Sequence, residues 1–151
     1  MKAIYAGSFD PFTNGHEYIL EEASKIFDEV HLLIAINPMK KRRSDTLKMK
    51  EAIEKIASRF GNVKVVSYSG LIADYAKQYS IEYYVRGVRN TTDFNYEEII
   101  AKENYALNKS LKTIYIRSKD EFISSSFIWE LIQVGKDYSK FVPKEIVDVL
   151  G

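Results

Sequence analysis

Along almost the whole chain, short β-branched and apolar runs alternate with longer amphipathic ones, and this alternation restricts the possible folds more than any other feature. Lys2 to Gly7 reads as a strand. Asn14 to Asp28 reads as a helix whose Ile19, Leu20, Ala23, Ile26 and Phe27 recur at helical spacing. Glu29 to Asn37 is nearly continuous apolar sequence, as expected for a strand covered on both faces. The pattern continues with a helix from about Thr46 to Arg59, a strand Val63 to Ser67 and a helix Leu71 to Tyr79. A strand Tyr83 to Arg86, a helix from about Phe94 to Leu107 and a strand Thr113 to Ile116 follow. Helices Ser125 to Val134 and Pro143 to Leu150 close the chain, the second with proline in its first turn. Such alternation predicts an α/β fold, a Rossmann-like parallel sheet of about five strands with helices on both faces. Ligands of such sheets bind beyond the carboxyl ends of the strands, near the point where strand order reverses. The residues just after each strand therefore carry the functional question.

The chain has 151 residues and no internal repeat or low-complexity linker, so one domain over 1–151 is expected. It has no cysteine, which excludes disulfides, thiolate metal sites and cysteine nucleophiles. With 22 basic against 21 acidic residues the net charge is +1, and no global field draws in a nucleic acid. Any anionic ligand must be gripped locally. The longest apolar run, Val30 to Ile36, is strand-sized, and Met1 to Tyr5 enters a strand pattern without a signal peptide. A cytoplasmic protein with no membrane partner is the expectation.

After the first strand comes Gly7-Ser8-Phe9-Asp10-Pro11-Phe12-Thr13-Asn14-Gly15-His16. Asp10-Pro11 and Asn14-Gly15 are turn dipeptides, and Asn14 reads as a helix N-cap. His16 then falls in a first helical turn, where free amides and the positive end of the dipole favour a phosphate. A neutral imidazole there can donate to phosphate oxygens. After the fourth strand, Arg86 and Arg89 flank Gly87 and offer two planar forks of donors. Glu97, further along, would orient an arginine or meet a nucleotide hydroxyl. Ser124, Ser125 and Ser126 precede the apolar run Phe127, Ile128, Leu131 and Ile132, which marks a helix start with hydroxyls beside unpaired amides. The basic run Lys40-Lys41-Arg42-Arg43 follows Asn37-Pro38-Met39. His31 opens an apolar strand with no turn chemistry near it and reads as structural.

Three of these segments together resemble one family. Thr13-Asn14-Gly15-His16 is similar to the His-x-Gly-His signature of the nucleotidylyltransferase superfamily, in the form found in bacterial phosphopantetheine adenylyltransferases. Arg86-Gly87-Val88-Arg89 with Asp93-Phe94-Asn95-Tyr96-Glu97 resembles that family's second segment, and Phe122-Ile123-Ser124-Ser125-Ser126 its closing one. The resemblance runs in order over nearly the whole chain. It implies transfer of the adenylyl group of ATP to 4′-phosphopantetheine, giving dephospho-coenzyme A and pyrophosphate. It implies catalytic roles for His16, Lys40, Arg89 and Ser126. ATP would be bound by Ser8, Phe9, His16, Gly87, Val88, Arg89, Glu97, Asp120, Glu121, Phe122, Ile123, Ser124, Ser125 and Ser126. The acceptor would be bound by Ser8, Lys40, Ile72 and Arg86, with Lys41 able to stand in for Lys40. Leu71 and Ile72 match positions along the pantetheine arm, although core packing accounts for them equally. A Mg2+ ion would be held chiefly by ATP oxygens rather than by protein ligands. The family further implies a homohexamer.

The sequence departs from that pattern in places. Ala6 stands where proline is usual and Ser8 where threonine is common. Arg42-Arg43-Ser44-Asp45 and Lys48-Met49-Lys50 are irregular, and Trp129 occupies a position that is usually basic. Sister transferases acting on glycerol phosphate or nicotinamide mononucleotide are the nearest rivals, disfavoured by the Arg86 to Glu97 segment. A nucleotide-binding module without catalysis is the rival from another class. A nucleic-acid binder rests only on Lys40 to Arg43 and the 11 tyrosines.

Overall fold

In the computed structural model, which describes residues 1–119 and 123–151, the chain runs β1 (Lys2–Gly7), α1 (Asn14–Ile26), β2 (Glu29–Ala35), α2 (Thr46–Ala57), β3 (Val63–Tyr68), α3 (Ile72–Gln78), β4 (Tyr83–Val88), α4 (Thr91–Leu107), β5 (Lys112–Arg117), α5 (Ser125–Gln133) and α6 (Lys144–Leu150). The five strands form one sheet in the order β3-β2-β1-β4-β5. Every pairing is parallel, with Ala3 beside Val30 and Tyr83, and Tyr5 beside Leu32 and Val85. The chain moves outward from β1 through β2 to β3, then crosses back to lay β4 on the other side of β1. Strand order reverses between β1 and β4, so their carboxyl ends open a crevice.

The two-residue period of the strands divides the core. Ala3, Tyr5, Leu32 and Ile34 pack on one face with Ile19, Leu20 and Ala23 of α1 and Ile53 and Ile56 of α2. Ile4, Ala6, Leu33 and Tyr84 face the other way, against Tyr75 and Ala76 of α3 and Ile100 of α4. The continuous apolar sequence of β2 follows from its place inside the sheet, covered on both faces.

Element ends differ from the sequence reading where side-chain chemistry decides them. Thr13, not Asn14, caps α1. The Thr13 hydroxyl accepts from the His16 amide at 3.4 Å, and His16 Nδ1 accepts the Thr13 N–H at 3.0 Å. Asn14 donates instead to the Lys140 carbonyl at 2.8 Å. β4 continues to Val88, so Arg86 and Gly87 lie inside the strand. α4 begins at Thr91 because Asn90 caps it, accepting the Asp93 N–H at 2.9 Å. β2 stops at Ala35, Pro143 stands one position before α6, and an unforeseen 3-10 turn covers Ser139–Phe141.

Candidate active site

A cavity of about 280 Å3 lies at the carboxyl ends of β1 and β4, at the point where strand order reverses. Its floor and walls come from separate parts of the sequence: the turn after β1, the first turn of α1, the end of β4, and the start of α5. Ser8, Phe9, His16, Arg86, Gly87, Arg89, Glu97, Ile123, Ser124 and Ser125 all line it.

His16 is set by its own helix start. Because Nδ1 accepts the Thr13 N–H, the ring proton must sit on Nε2, which leaves that N–H as the donor available to a ligand. The rings of Phe9 and Phe12 stand 5.0 and 5.5 Å from the imidazole and fix its plane. Burial, followed by the charges of Arg86 and Arg89, pushes its pKa down to about 3. The side chain is therefore a neutral donor throughout the physiological range.

Arg86 is held on all sides. Its Nε and Nη2 donate to the two Glu97 carboxylate oxygens at 2.7 and 2.8 Å, and Nη1 donates to the Ala6 carbonyl at 2.7 Å and to the Tyr84 hydroxyl at 3.0 Å. Burial opposes its charge, but the Glu97 carboxylate outweighs burial and holds the guanidinium protonated. One of its five N–H groups is left over, so Arg86 offers the cavity a fixed charge more than a free fork. Glu97 takes the first of its two expected roles: both of its oxygens are on Arg86. Arg89, one residue beyond β4, is paired with the first turn of α4 and with the chain before α5. Its Nε donates to Asp93 at 2.9 Å and its Nη1 reaches the Ile123 carbonyl at 3.4 Å. Burial works against the Asp93 carboxylate, yet Arg89 keeps it below the ordinary range.

At the second helix start the serines divide their work. Ser124 caps α5, accepting the Phe127 N–H at 3.1 Å, and Ser125 donates to the Pro11 carbonyl at 2.8 Å. Ser126 is exposed and outside the cavity lining. Asp120, Glu121 and Phe122 lie outside the described residues.

Four other expected residues are not brought to the cavity. Lys40 is exposed on the loop after β2. Its neighbour Arg42 is the residue that reaches the β1 turn, donating to the Ser8 carbonyl at 2.7 Å. Lys41 lines a separate groove with Arg42, Arg43 and Trp129. Ile72 is partly buried and packs against the core on the α3 side of the sheet, while Leu71 beside it is exposed. Val88 lines an adjoining apolar hollow of about 360 Å3 with Arg89, Phe94 and Tyr115. Phe9 meets the cavity, but its ring is buried against Tyr5 and Phe12, which leaves chiefly backbone for a ligand. A Cβ at Gly87 would stand 3.0 Å from Ile19 of α1, so the glycine eases the close packing of helix on strand while it lines the cavity.

Thr13, quoted above only as part of the signature, and Ser118, absent from the expected set, also line the cavity. Ser118 directly follows β5, so the strand-end rule was the signal for it. Thr13 followed by His16 three residues later is a capping-box spacing with His in place of Glu or Gln. His31 is buried, with Nδ1 2.7 Å from the Tyr75 hydroxyl and Nε2 3.2 Å from Glu29, far from this chemistry.

A family model described as Cytidylyltransferase-like matches residues 4–131. Among solved structures, the chain resembles Plasmodium falciparum nicotinic acid mononucleotide adenylyltransferase in complexes with APC and with NaAD. The TM-scores are 0.72 and 0.71 at 17% identity, covering 99% of this chain and 93% of each other chain. It also resembles a Vibrio parahaemolyticus protein provisionally assigned as a nicotinate-nucleotide adenylyltransferase, with TM-score 0.70 at 18% identity over 99% of this chain and 90% of that one. Likenesses at this identity establish a shared fold.

Proposed function

The chain belongs to the Cytidylyltransferase-like family, and from that premise we propose that it transfers the adenylyl group of ATP to the phosphate of 4′-phosphopantetheine. The observation that carries the transfer reading is the capped start of α1, which aims a neutral His16 Nε2–H beside the fixed charges of Arg86 and Arg89. That arrangement suits a reaction in which negative charge moves between phosphates and no protein nucleophile takes part. An acceptor phosphate oxygen attacks the α-phosphorus, the bond to the α,β-bridging oxygen breaks, and pyrophosphate leaves. His16 donates to the non-bridging oxygens as charge builds there, and the arginines and the α5 start meet the departing phosphates.

The substrate assignment rests on the Arg86 to Arg89 and Asp93 to Glu97 segments. The mutual hold of Arg86 and Glu97 supports reading those segments as one unit. Ser8 and Lys40 would meet the acceptor phosphate, Lys40 through its long exposed side chain on the loop after β2. The hollow lined by Val88, Phe94 and Tyr115 fits the flat face of an adenine. Glu97 is the one carboxylate lining the cavity among the described residues, and both its oxygens are taken by Arg86. Mg2+ would arrive on ATP, held chiefly by phosphate oxygens, and supply charge neutralisation there. No helix among the described residues is long and apolar enough to cross a membrane, and a cytoplasmic setting is part of the proposal. So is self-assembly to a hexamer: of the residues of α4 only Glu97 is buried, while Tyr96, Ile99, Tyr105 and Leu107 are exposed. Sedimentation at micromolar concentration tests it, and a monomer-sized species would count against assembly.

The deciding experiment is pyrophosphate release from ATP and Mg2+ with 4′-phosphopantetheine, nicotinic acid mononucleotide, nicotinamide mononucleotide and glycerol phosphate offered separately, and again with CTP. Release with ATP and 4′-phosphopantetheine alone is the expected result. Release with another pair keeps the transfer chemistry and overturns the acceptor. Silence from all pairs, with ATP still bound, points to a non-catalytic nucleotide module.

A further inference from the structure

We propose that Arg42, with Trp129, is a positioning residue that holds the Ser8–Phe9–Asp10 backbone in the shape presented to the nucleotide phosphates. This rests on the reading that phosphates lie against that segment. Phe9 sits at φ 47°, a left-handed conformation that an L side chain rarely adopts and that persists only where its surroundings over-determine it. The surroundings here are side chains that hold four successive carbonyl oxygens. Arg42 Nη1 donates to the Ser8 carbonyl at 2.7 Å and Nη2 to the Phe9 carbonyl at 3.2 Å. Trp129 Nε1 donates to the Asp10 carbonyl at 2.7 Å, and Ser125 to the Pro11 carbonyl at 2.8 Å.

The same loop is fastened further by Asp10, whose carboxylate accepts from the Arg43 and Ser44 amides, each at 2.8 Å, and from the Ser44 hydroxyl at 2.6 Å. The loop after β2 thus holds Ser8, Phe9 and Asp10, and the helix α5 holds Asp10 and Pro11, so the two elements grip one stretch and meet at Asp10. Only a planar fork spans adjacent carbonyls this way; an ammonium meets them as a point charge. Arg42 Nε is buried with no partner, so its guanidinium is oriented by the two carbonyls even though one donor goes unmet. Arg43 contributes its backbone amide to the clamp, while its guanidinium lies over the Trp129 ring at 5.6 Å from the centroid. The two neighbouring arginines carry equal charge but do different work.

That difference gives the test. Affinities of the full chain for ATP with Mg2+ and for adenosine are measured by calorimetry in Arg42→Met, Arg42→Lys, Arg43→Met and Trp129→Phe. Arg42→Met should weaken ATP binding about tenfold while adenosine binding stays within about twofold, since only the phosphates meet the clamped backbone. Arg42→Lys should recover roughly half of the loss on a logarithmic scale, and Trp129→Phe, which removes the indole donor but keeps a ring, should lose about threefold. Arg43→Met should stay within about twofold. The proposal is overturned if Arg42→Met binds ATP like the parent chain, if Arg43→Met loses as much, or if adenosine binding falls in parallel. These readouts need no turnover. Failure of the parent chain to release pyrophosphate with any acceptor would remove the transfer reading and leave the clamp to be judged by ATP against adenosine.

Discussion

Replacing His16 separates its two bonds, one structural and one chemical. The ring accepts the Thr13 N–H through Nδ1 and keeps Nε2–H for the ligand. His16→Ala removes both. Loss of a capping interaction costs about 1 kcal/mol, which lowers the midpoint of thermal unfolding by roughly 2–4 °C in a chain of this size. Loss of one donor to a transition-state oxygen lowers turnover about 10²–10³-fold, or about 2.7–4 kcal/mol of barrier. The chemical effect should therefore exceed the structural one severalfold in energy. His16→Gln tests the separation. Its amide oxygen can take the Thr13 N–H in an ordinary capping box and so restore stability, but it places no ring N–H at the Nε2 position. Both variants are assayed for pyrophosphate release at saturating ATP and for unfolding in urea. The expected result is near-parental stability for His16→Gln with turnover still depressed about 10²-fold. If turnover recovers together with stability, the residue is a helix cap whose nearness to the phosphates is incidental, and the catalytic argument fails.

Three further outcomes follow from the same geometry. Because burial and the two arginines hold His16 at about 3 against 6.5 for an ordinary imidazole, its ring signals should not titrate between pH 5 and 8 in a proton NMR series; a midpoint near 6.5 would refute the neutral-donor assignment. The sign for stability follows. The unfolded ring takes its proton first, so the residue's contribution is full above pH 6.5 and is lost as pH falls toward about 3. Glu97→Ala leaves the Arg86 charge buried without its counter-ion, which should cost about 3–5 kcal/mol in urea unfolding, while a cost below about 1 kcal/mol would mean the pair is solvated. Lys40→Ala with Lys41→Ala should raise KM for the acceptor about tenfold and leave KM for ATP within about twofold; equal rises would place the loop on the nucleotide instead.

What the sequence disclosed of this site, and what it withheld, divides along a physical line. Strand and helix order was legible because periodicity is local. The cavity's place was legible because parallel sheets bind ligands at strand ends, and Gly7, His16, Arg89 and Ser124 all follow or flank such ends. The partners of the side chains were legible only in part, since most come from elements far apart in the chain. Glu97 reads as a group that could orient an arginine, but only the fold shows that the arginine is Arg86 and that the Ala6 carbonyl holds it as well. Lys40 reads as the cation nearest the acceptor, and nothing near it in sequence shows that Arg42 is the one that reaches the Ser8 carbonyl, 34 residues away. A run of four cations gives no local sign of which one will turn inward, because that depends on Asp10 accepting from the loop and on the Trp129 indole fixing the opposite side. Arg42 and Trp129 are also two of the places where the chain departs from the family it resembles. Those departures meet on one stretch of backbone, Ser8 to Asp10, which accounts for both by a single constraint: a strained turn that must be held from two sides to face a phosphate.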